Sequence, residues 1–474
     1  MPSAVRHLSP FSGSWYPRDA AALAALIEEK LADSLRRTGG CLLPRPVAFV
    51  VPHAGLEYSG TVAAAVYRHL GQSPPRRIVL LGFAHHGAPP GLWIPDVDCY
   101  ETPLGEVAVD REAVGQLFRS GWAQPFAEAR LCDHSIEIQL PWLSRVAPRA
   151  TLVPVYVSRL AARECRQAGA RLAQWLDAGT LLIASSDFTH YGKAFHYEPF
   201  PLDADTPSRL RRLDESVMAA ASGLHARSLL DAIHQTSATV CGREPLALLL
   251  ATLASLPAGG EIFQTTLDYE TSGDITGDFG HSVSYAALGY FPYSSFLLDA
   301  VDQAVLLDSA RRTLEHCRQT GERRPVPVEA PSPALQRQAG VFVTLRREGE
   351  LRGCVGHIHT PGPLAQSVGQ VTLAAAHDDE RFEHVRRDEE IDVEISILSP
   401  LKRLADPAEF CVGRDGGLLE AGERSGLLLP QVAEGRHWTA RQFLDALAKK
   451  AGAPAQVYAD PSTHLSVFRA QVVQ

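Results

Sequence analysis

A chain of 474 residues with 45% hydrophobic and 21% charged side chains can bury sizeable cores, and at roughly one domain per 150 residues it should hold two or three. A formal charge of -9, a pI near 6.1 and Lys/Arg interspersed with Asp/Glu argue against a nucleic-acid partner. Residues 1–16 carry no apolar leader core and no stretch reaches the roughly eighteen apolar residues of a span, so the expectation is no membrane partner and a cytoplasmic address.

In chain order, Asp19 is placed to cap a helix from about Ala20 to Leu35, with Leu23, Leu26, Ile27 and Leu31 on one face. Val47-Ala48-Phe49-Val50-Val51 is too short for a free-standing helix and too apolar for a loop, so it reads as a buried strand that ends on Pro52-His53-Ala54-Gly55. Ser59 or Thr61 is the expected cap of the next helix, Ala63 to Leu70. The pattern of an apolar run ending on histidine returns in Ile78 to Gly82 before His85-His86, and in Leu181 to Ser185 before Asp187 and His190. Between them lie a helix over Asp110 to Gly121, the polar group Asp133-His134-Ser135-Ile136-Glu137, a strand over Leu152 to Val157 and a helix over Arg163 to Leu176. Helices over Ser208 to Ser222 and Leu224 to Gln235 lead to a turn at Cys241-Gly242-Arg243 and an apolar helix, Leu246 to Leu256; Val283 to Tyr290 closes the sheet. Strands alternating with helices imply an α/β unit, a mostly parallel sheet with helices on both faces.

Near Phe291 to Leu297 the character changes. A helix over Leu298 to Cys317, a proline-rich stretch from Pro325 to Pro333, a hairpin made by Val341 to Leu345 and Leu351 to Gly356, a helix over Pro363 to Ala376, a strand over Ile391 to Leu398 and a helix over Trp438 to Ala451 describe an α+β unit. The expected division is 1–294 and 295–474.

The chemistry gathers where the strands end. In open α/β sheets the carboxyl ends converge on one crevice, so histidines far apart in sequence can meet there. His53 and His85 would supply two imidazole nitrogens, and Cys241, at a turn before a helix, a sulfur whose pKa falls beside a metal. Three protein ligands leave positions open, as in a catalytic site. His190 would carry a proton and Asp187 would orient it or bind substrate; Trp15, Tyr58 and Tyr191 would form aromatic walls. His86 and His134 are rival ligands, and Glu137, Asp133 or Asp187 is a rival carboxylate that would complete a facial triad for iron(II). The eight cysteines are scattered without a CxxC, which excludes a disulfide scaffold and leaves most of them as small buried residues.

From about His7 to Tyr290 the chain resembles the Memo family, whose fold is that of the class III extradiol ring-cleaving dioxygenases. The resemblance rests on Gly13-Ser14-Trp15-Tyr16, Pro52-His53-Ala54-Gly55 with Tyr58 and Gly60, Leu81-Gly82 with His85-His86, His134-Ser135-Ile136-Glu137, Ser185-Ser186-Asp187-Phe188 with His190, and Cys241-Gly242-Arg243. It implies that His53, His85 and Cys241 bind one iron (Fe2+) or copper ion, with Asp187 and His190 lining the vestibule as catalytic residues. In the dioxygenases a glutamate holds the place of Cys241, and a thiolate donates more charge and can itself be oxidised. From about Asp299 to Val473 the chain is similar to the AMMECR domain, through Phe342-Val343-Thr344-Leu345, Leu351-Arg352-Gly353-Cys354-Val355-Gly356, Ala375-Ala376 with Asp379, Arg381 and Phe382, and Leu429-Pro430-Gln431-Val432-Ala433. Arg352 and Cys354 are its expected substrate contacts; Gly353 and Gly356 would either let backbone approach a ligand or serve a twisted or bulged hairpin, with Cys354 a small buried thiol. Together the two resemblances imply the AmmeMemoRadiSam system, with a radical SAM protein as partner. They also imply a metal-dependent oxidoreductase acting on a small or peptide-borne substrate. The alternative is a peptide- or partner-binding adaptor on a dioxygenase-derived fold.

Overall fold

The computed structural model describes residues 5–126, 132–434, 436–460 and 462–474. They form two compact units, one from the N-terminus to Thr38 with Leu43–Pro292, the other Gly39–Leu42 with Tyr293–Gln474.

The first unit is built on a nine-stranded sheet. Its centre is parallel: Ala48–Val51 pairs with Thr180–Ser185, which pairs with Arg77–Gly82, which pairs with Thr151–Ser158. Every residue of Ala48–Val51 is fully buried, which is why the strand reads as an uninterrupted apolar run rather than an alternation. The margins are antiparallel. His281–Pro292 runs beside Ala48–Val51 and pairs along its length with Ile262–Thr271, while Gly91–Pro95 runs against Thr151–Ser158. Helices Ala20–Thr38, Leu56–Gln72 and Leu140–Val146 pack together, as do Ala162–Trp175, Ala226–Thr236 and Arg243–Ala254.

Helix Leu56–Gln72 departs from expectation at its start, with Gly55 as N-cap rather than Ser59 or Thr61. Ser59 lies within the first turn, and its hydroxyl donates back to Ala54 O at 2.8 Å. From Ser59 to Tyr67 every residue is buried, so the Ser59-Gly60-Thr61 run that resembled a cap is packing surface instead. Asp19 and Asp110 do cap, accepting from the backbone N–H of Ala22 and Ala113.

The second unit holds two four-stranded antiparallel sheets. One runs Glu350–His357, Val341–Arg347, Asp392–Leu398, Ala470–Val473; the other Lys402–Arg403, His464–Phe468, Gly416–Ala421, Arg424–Leu428. The first buries Val341, Val343, Leu345, Ile395 and Ile397 under helices Ala300–Thr320 and Leu364–His377. The second packs on helix Ala440–Lys450 through Phe443, Leu444 and Leu447. No helix among the described residues is long and apolar enough to cross a membrane.

Candidate metal centre

Strands Ala48–Val51, Thr180–Ser185 and Arg77–Gly82 are adjacent and parallel, so the loops after all three leave the sheet at the same edge. Pro52 has no N–H and ends the first strand. His53 then donates its backbone N–H to Asp187 Oδ1 at 2.7 Å, and Ser186 N donates to Val51 O at 2.9 Å. The two strand exits are thereby tied together.

The side chain of His53 is buried, with Nδ1 3.1 Å from Ser185 Oγ. Ser185 Oγ in turn accepts from Gln139 Nε2 at 3.0 Å, and Gln139 Oε1 accepts from the Tyr67 hydroxyl at 2.7 Å. When Nδ1 donates to the serine, the Nε2 lone pair is left pointing at Cys241 Sγ, 3.0 Å away. His85 is fixed in the same manner: its Nδ1 meets Asp133 Oδ1 at 2.9 Å, and its backbone N donates to the other oxygen at 3.0 Å. Holding one ring nitrogen with a carboxylate or hydroxyl frees the other and orients it, the usual support for a metal-binding imidazole. One donor atom each from His53, His85 and Cys241 lies within 4.8 Å of the others.

Cys241 is delivered by close packing. Gly242 begins helix Arg243–Ala254 against the end of Thr180–Ser185, where a Cβ would stand 2.5 Å from Ser186 Cβ. Gly242 N donates to Ser186 Oγ at 3.0 Å and Asp187 N donates to the thiol at 3.2 Å.

The electrostatics suit a cation. Burial, with His134 and His85 close by, holds His53 well below the usual imidazole range, so it is neutral and its lone pair available. Burial and the neighbouring Asp187 carboxylate push the Cys241 thiol far up. Without a positive charge beside it this sulfur keeps its proton; with one it becomes a thiolate ligand. Asp133 is held far below the carboxylate range although burial opposes it, by the His85 hydrogen bond and the nearby His134 and His85 rings. Asp187 goes the other way: burial raises it to about 6 against the pull of His190 and the His53 N–H. The donor set of two imidazoles and one thiol therefore fits a transition-metal ion.

Of the rivals, His134 stacks on His85 with ring centroids 4.1 Å apart and lies under Trp15 at 4.4 Å, while burial lowers its pKa to about 4. It forms a wall of the site and a second three-residue grouping with His85 and Asp133. His86 is exposed. His190 donates from Nδ1 towards Phe188 O and Thr239 O, both at 3.0 Å, leaving Nε2 free. Tyr58 is 43% exposed and adjoins Gly55, whose Cβ position is 4.0 Å from the Tyr58 ring. Tyr191 faces away, stacked on Phe200 at 5.1 Å, because the short strand His190–Gly192 alternates its side chains. It therefore does not line the site. The hydrogen-bonded line Tyr67, Gln139, Ser185 was not foreseen. Its trace in the sequence is one amide, Gln139, inside the apolar run Ile138-Gln139-Leu140.

In the second unit, Cys354 N donates to Asp379 Oδ2 at 2.8 Å, and Arg381 clamps Asp379 while donating to Cys354 O at 3.0 Å. Arg352, the expected substrate contact beside Cys354, is held within the unit. Its guanidinium is spent on both oxygens of buried Glu389, at 2.8 and 3.1 Å, and on the carbonyls of Glu383 and His384. Gly353 and Gly356 likewise answer to packing, since a Cβ would come within 2.1 Å of Ala375 O and 2.2 Å of the Phe342 ring.

Comparison with known proteins agrees with this division. The family described as Memo-like protein matches residues 8–289 and that described as AMMECR1 matches residues 307–473. A MEMO1 family protein of Methanopyrus kandleri is 33% identical over 290 residues, covering 58% of this chain and 96% of its own length. Protein MEMO1 of Homo sapiens is 30% identical over 285 residues, covering 58% of this chain and 94% of its own. The crystal structure of an uncharacterized protein from Pyrococcus horikoshii aligns at 33% identity with a TM-score of 0.36, over 37% of this chain and 92% of that one.

Proposed function

We propose, from the premise that this chain belongs to the Memo-like family, that its N-terminal unit is a metal-dependent oxidoreductase with iron(II) or copper held by His53, His85 and Cys241. The observation that carries the reading is the 3.0 Å approach of His53 Nε2 to Cys241 Sγ, with a His85 nitrogen within 4.8 Å of both. A redox ion bound there would exchange electrons with dioxygen or an organic substrate.

The surrounding residues have separable tasks. Ser185 and Asp133 fix the two imidazoles by their Nδ1 atoms, so that neither ring must reorganise when the ion binds. Asp187, with a pKa of about 6, changes protonation near neutrality and can hold or release a proton at Oδ2 while Oδ1 accepts from His53 N. His190 offers its free Nε2 as a second proton carrier. Trp15 and Tyr58 would bind an apolar or aromatic part of a small or peptide-borne substrate. The AMMECR1-matched unit is assigned a cooperating role in the same pathway with a radical SAM partner, since tethering raises the two units to roughly millimolar effective concentration.

The test is metal analysis of anaerobically purified chain, followed by oxygen consumption after iron(II) or copper reconstitution. The reading requires near-stoichiometric metal that is lost in Cys241→Ser, and turnover that falls in His190→Gln while the metal stays. Full metal in Cys241→Ser would remove the sulfur from the centre. A chain with no affinity for either metal would leave only the partner-binding adaptor.

A further inference from the structure

A second donor group lies in the same unit, on residues that the proposed centre does not use. His7, on strand Arg6–Leu8, places Nε2 3.0 Å from Glu137 Oε1. Cys132 completes the group, with one donor atom from each of the three within 4.8 Å of the others. These residues are fixed by independent elements. The His7 strand pairs in parallel with Cys99–Thr102, which sets the imidazole against the Tyr100 ring at 5.5 Å. Glu137 ends the short helix His134–Glu137, which Asp133 caps.

The bonding of the group is incomplete. The Glu137 side chain is fully buried, yet among the described residues Oε1 alone is used and Oε2 has no hydrogen-bond partner. Such an orphaned buried oxygen is costly, the more so when charged. The Cys132 thiol meets the Tyr100 hydroxyl at 4.0 Å, the outer limit for sulfur, and also faces the His7 imidazole. Of the His7 side chain, 12% is exposed. A carboxylate, an imidazole and a thiol, all withdrawn from water, converge with lone pairs to spare.

We infer that His7, Cys132 and Glu137 form a second metal site, for a zinc-like divalent ion. One nitrogen, one sulfur and one oxygen suit an ion of borderline softness. Tetrahedral bonds of about 2.0–2.3 Å hold donors roughly 3.3–3.8 Å apart, so His7 and Glu137 need separate by well under 1 Å. Tyr100 and Tyr156, both fully buried, wall the group, and the Tyr156 hydroxyl accepts from Asp133 N at 2.7 Å. The site is therefore enclosed and its role structural. It pins the helix whose cap, Asp133, also holds His85.

The competing occupant is a proton. Burial lowers His7, but hydrogen bonds to Cys132 and Glu137 outweigh it and raise the imidazole to about 10, giving an imidazolium on the carboxylate. Cobalt(II) distinguishes the two, because a thiolate ligand gives it a sulfur-to-cobalt charge-transfer band. The test uses the full chain carrying Cys241→Ser, stripped of metal and titrated with cobalt(II) without oxygen. The band is expected, is bleached by zinc(II), and is lost on adding Cys132→Ser or His7→Gln but not Cys317→Ser. Zinc(II) should also shield Cys132 from iodoacetamide in the Cys241→Ser chain, a readout that leaves the new site unmutated. A folded Cys241→Ser chain with no band and no shielding, or a band that survives Cys132→Ser, overturns the site in favour of the ion pair. A further thiolate band in the chain with Cys241 intact reports on the His53, His85, Cys241 centre alone, so the two assignments fail separately.

Discussion

Replacing Gly242 with alanine would displace the Cys241 sulfur without altering it. Gly242 has φ -92° and ψ 31°, which alanine adopts freely, so the whole effect is steric. The new Cβ would lie 2.5 Å from Ser186 Cβ, 2.6 Å from Ser185 O and 2.7 Å from Ser186 Oγ, about 1 Å inside ordinary contact. The neighbours on that side belong to the end of a fully buried central strand and cannot yield, so the 241–243 turn must retreat by about that much. Overpacking of this kind costs about 1–3 kcal/mol and lowers Tm by several degrees. Ligand bonds tolerate only about 0.2 Å, so metal affinity should fall at least about 10-fold. Anaerobic metal titration and thermal unfolding of Gly242→Ala check both effects. Gly71→Ala serves as the control: it lies within a helix, the nearest atom to its Cβ is 3.8 Å away, and it should gain about 0.5–1 kcal/mol with affinity unchanged. A folded Gly242→Ala chain that binds metal as tightly as the parent would refute the packing argument.

Other expectations follow from single residues. His69 lies 5.6 Å from both Phe49 and Phe291, with Nε2 unpartnered, and burial holds it down to about 4. The unfolded imidazole protonates near 6.5, so stability is lost as pH falls from about 6.5 towards 4. At pH 5 the cost is about 2 kcal/mol, which His69→Leu should remove; urea unfolding of both chains at pH 7.5 and 5 must show a gap that widens in acid. Asp133→Asn keeps the shape beside His85 but removes the carboxylate charge, and metal affinity should drop about 10–100-fold in the same titration; an unchanged value contradicts the support assigned to Asp133. Arg352→Met removes the bidentate guanidinium from Glu389, whose side chain is 2% exposed and keeps Arg386 N at 3.1 Å and the Arg347 guanidinium at 3.9 Å, and should destabilise the second unit by about 1–3 kcal/mol, read as an earlier unfolding transition. A wild-type transition would mean that the donors left to Glu389 suffice without Arg352.

The site was legible because its parts obey simple rules. Runs such as Ala48–Val51 and Leu181–Ser185 are buried on both faces, so they stand out as apolar blocks, and a histidine after such a block must emerge at a strand end. What the sequence could not reveal was which strands are neighbours. The antiparallel Ile262–Thr271 left little trace, since its pattern breaks at a bulge between Thr266 and Asp268. The hairpin Gly416–Ala421 and Arg424–Leu428 was hidden for another reason: Gly417 and Gly426 face helix residues Leu447 and Ala451 so closely that no side chain fits, leaving gaps in the apolar alternation. The Arg352–Glu389 ion pair could not be read from the sequence, because the carboxylate partner lies 37 residues away.

The most direct measurement is X-ray absorption at the iron or copper edge of the reconstituted chain. Coordination by Cys241, His53 and His85 predicts one sulfur scatterer near 2.3 Å and two imidazole nitrogens near about 2.0–2.1 Å, with the sulfur lost in Cys241→Ser. A first coordination sphere of nitrogen and oxygen alone in the parent chain, unchanged by that substitution, would contradict it.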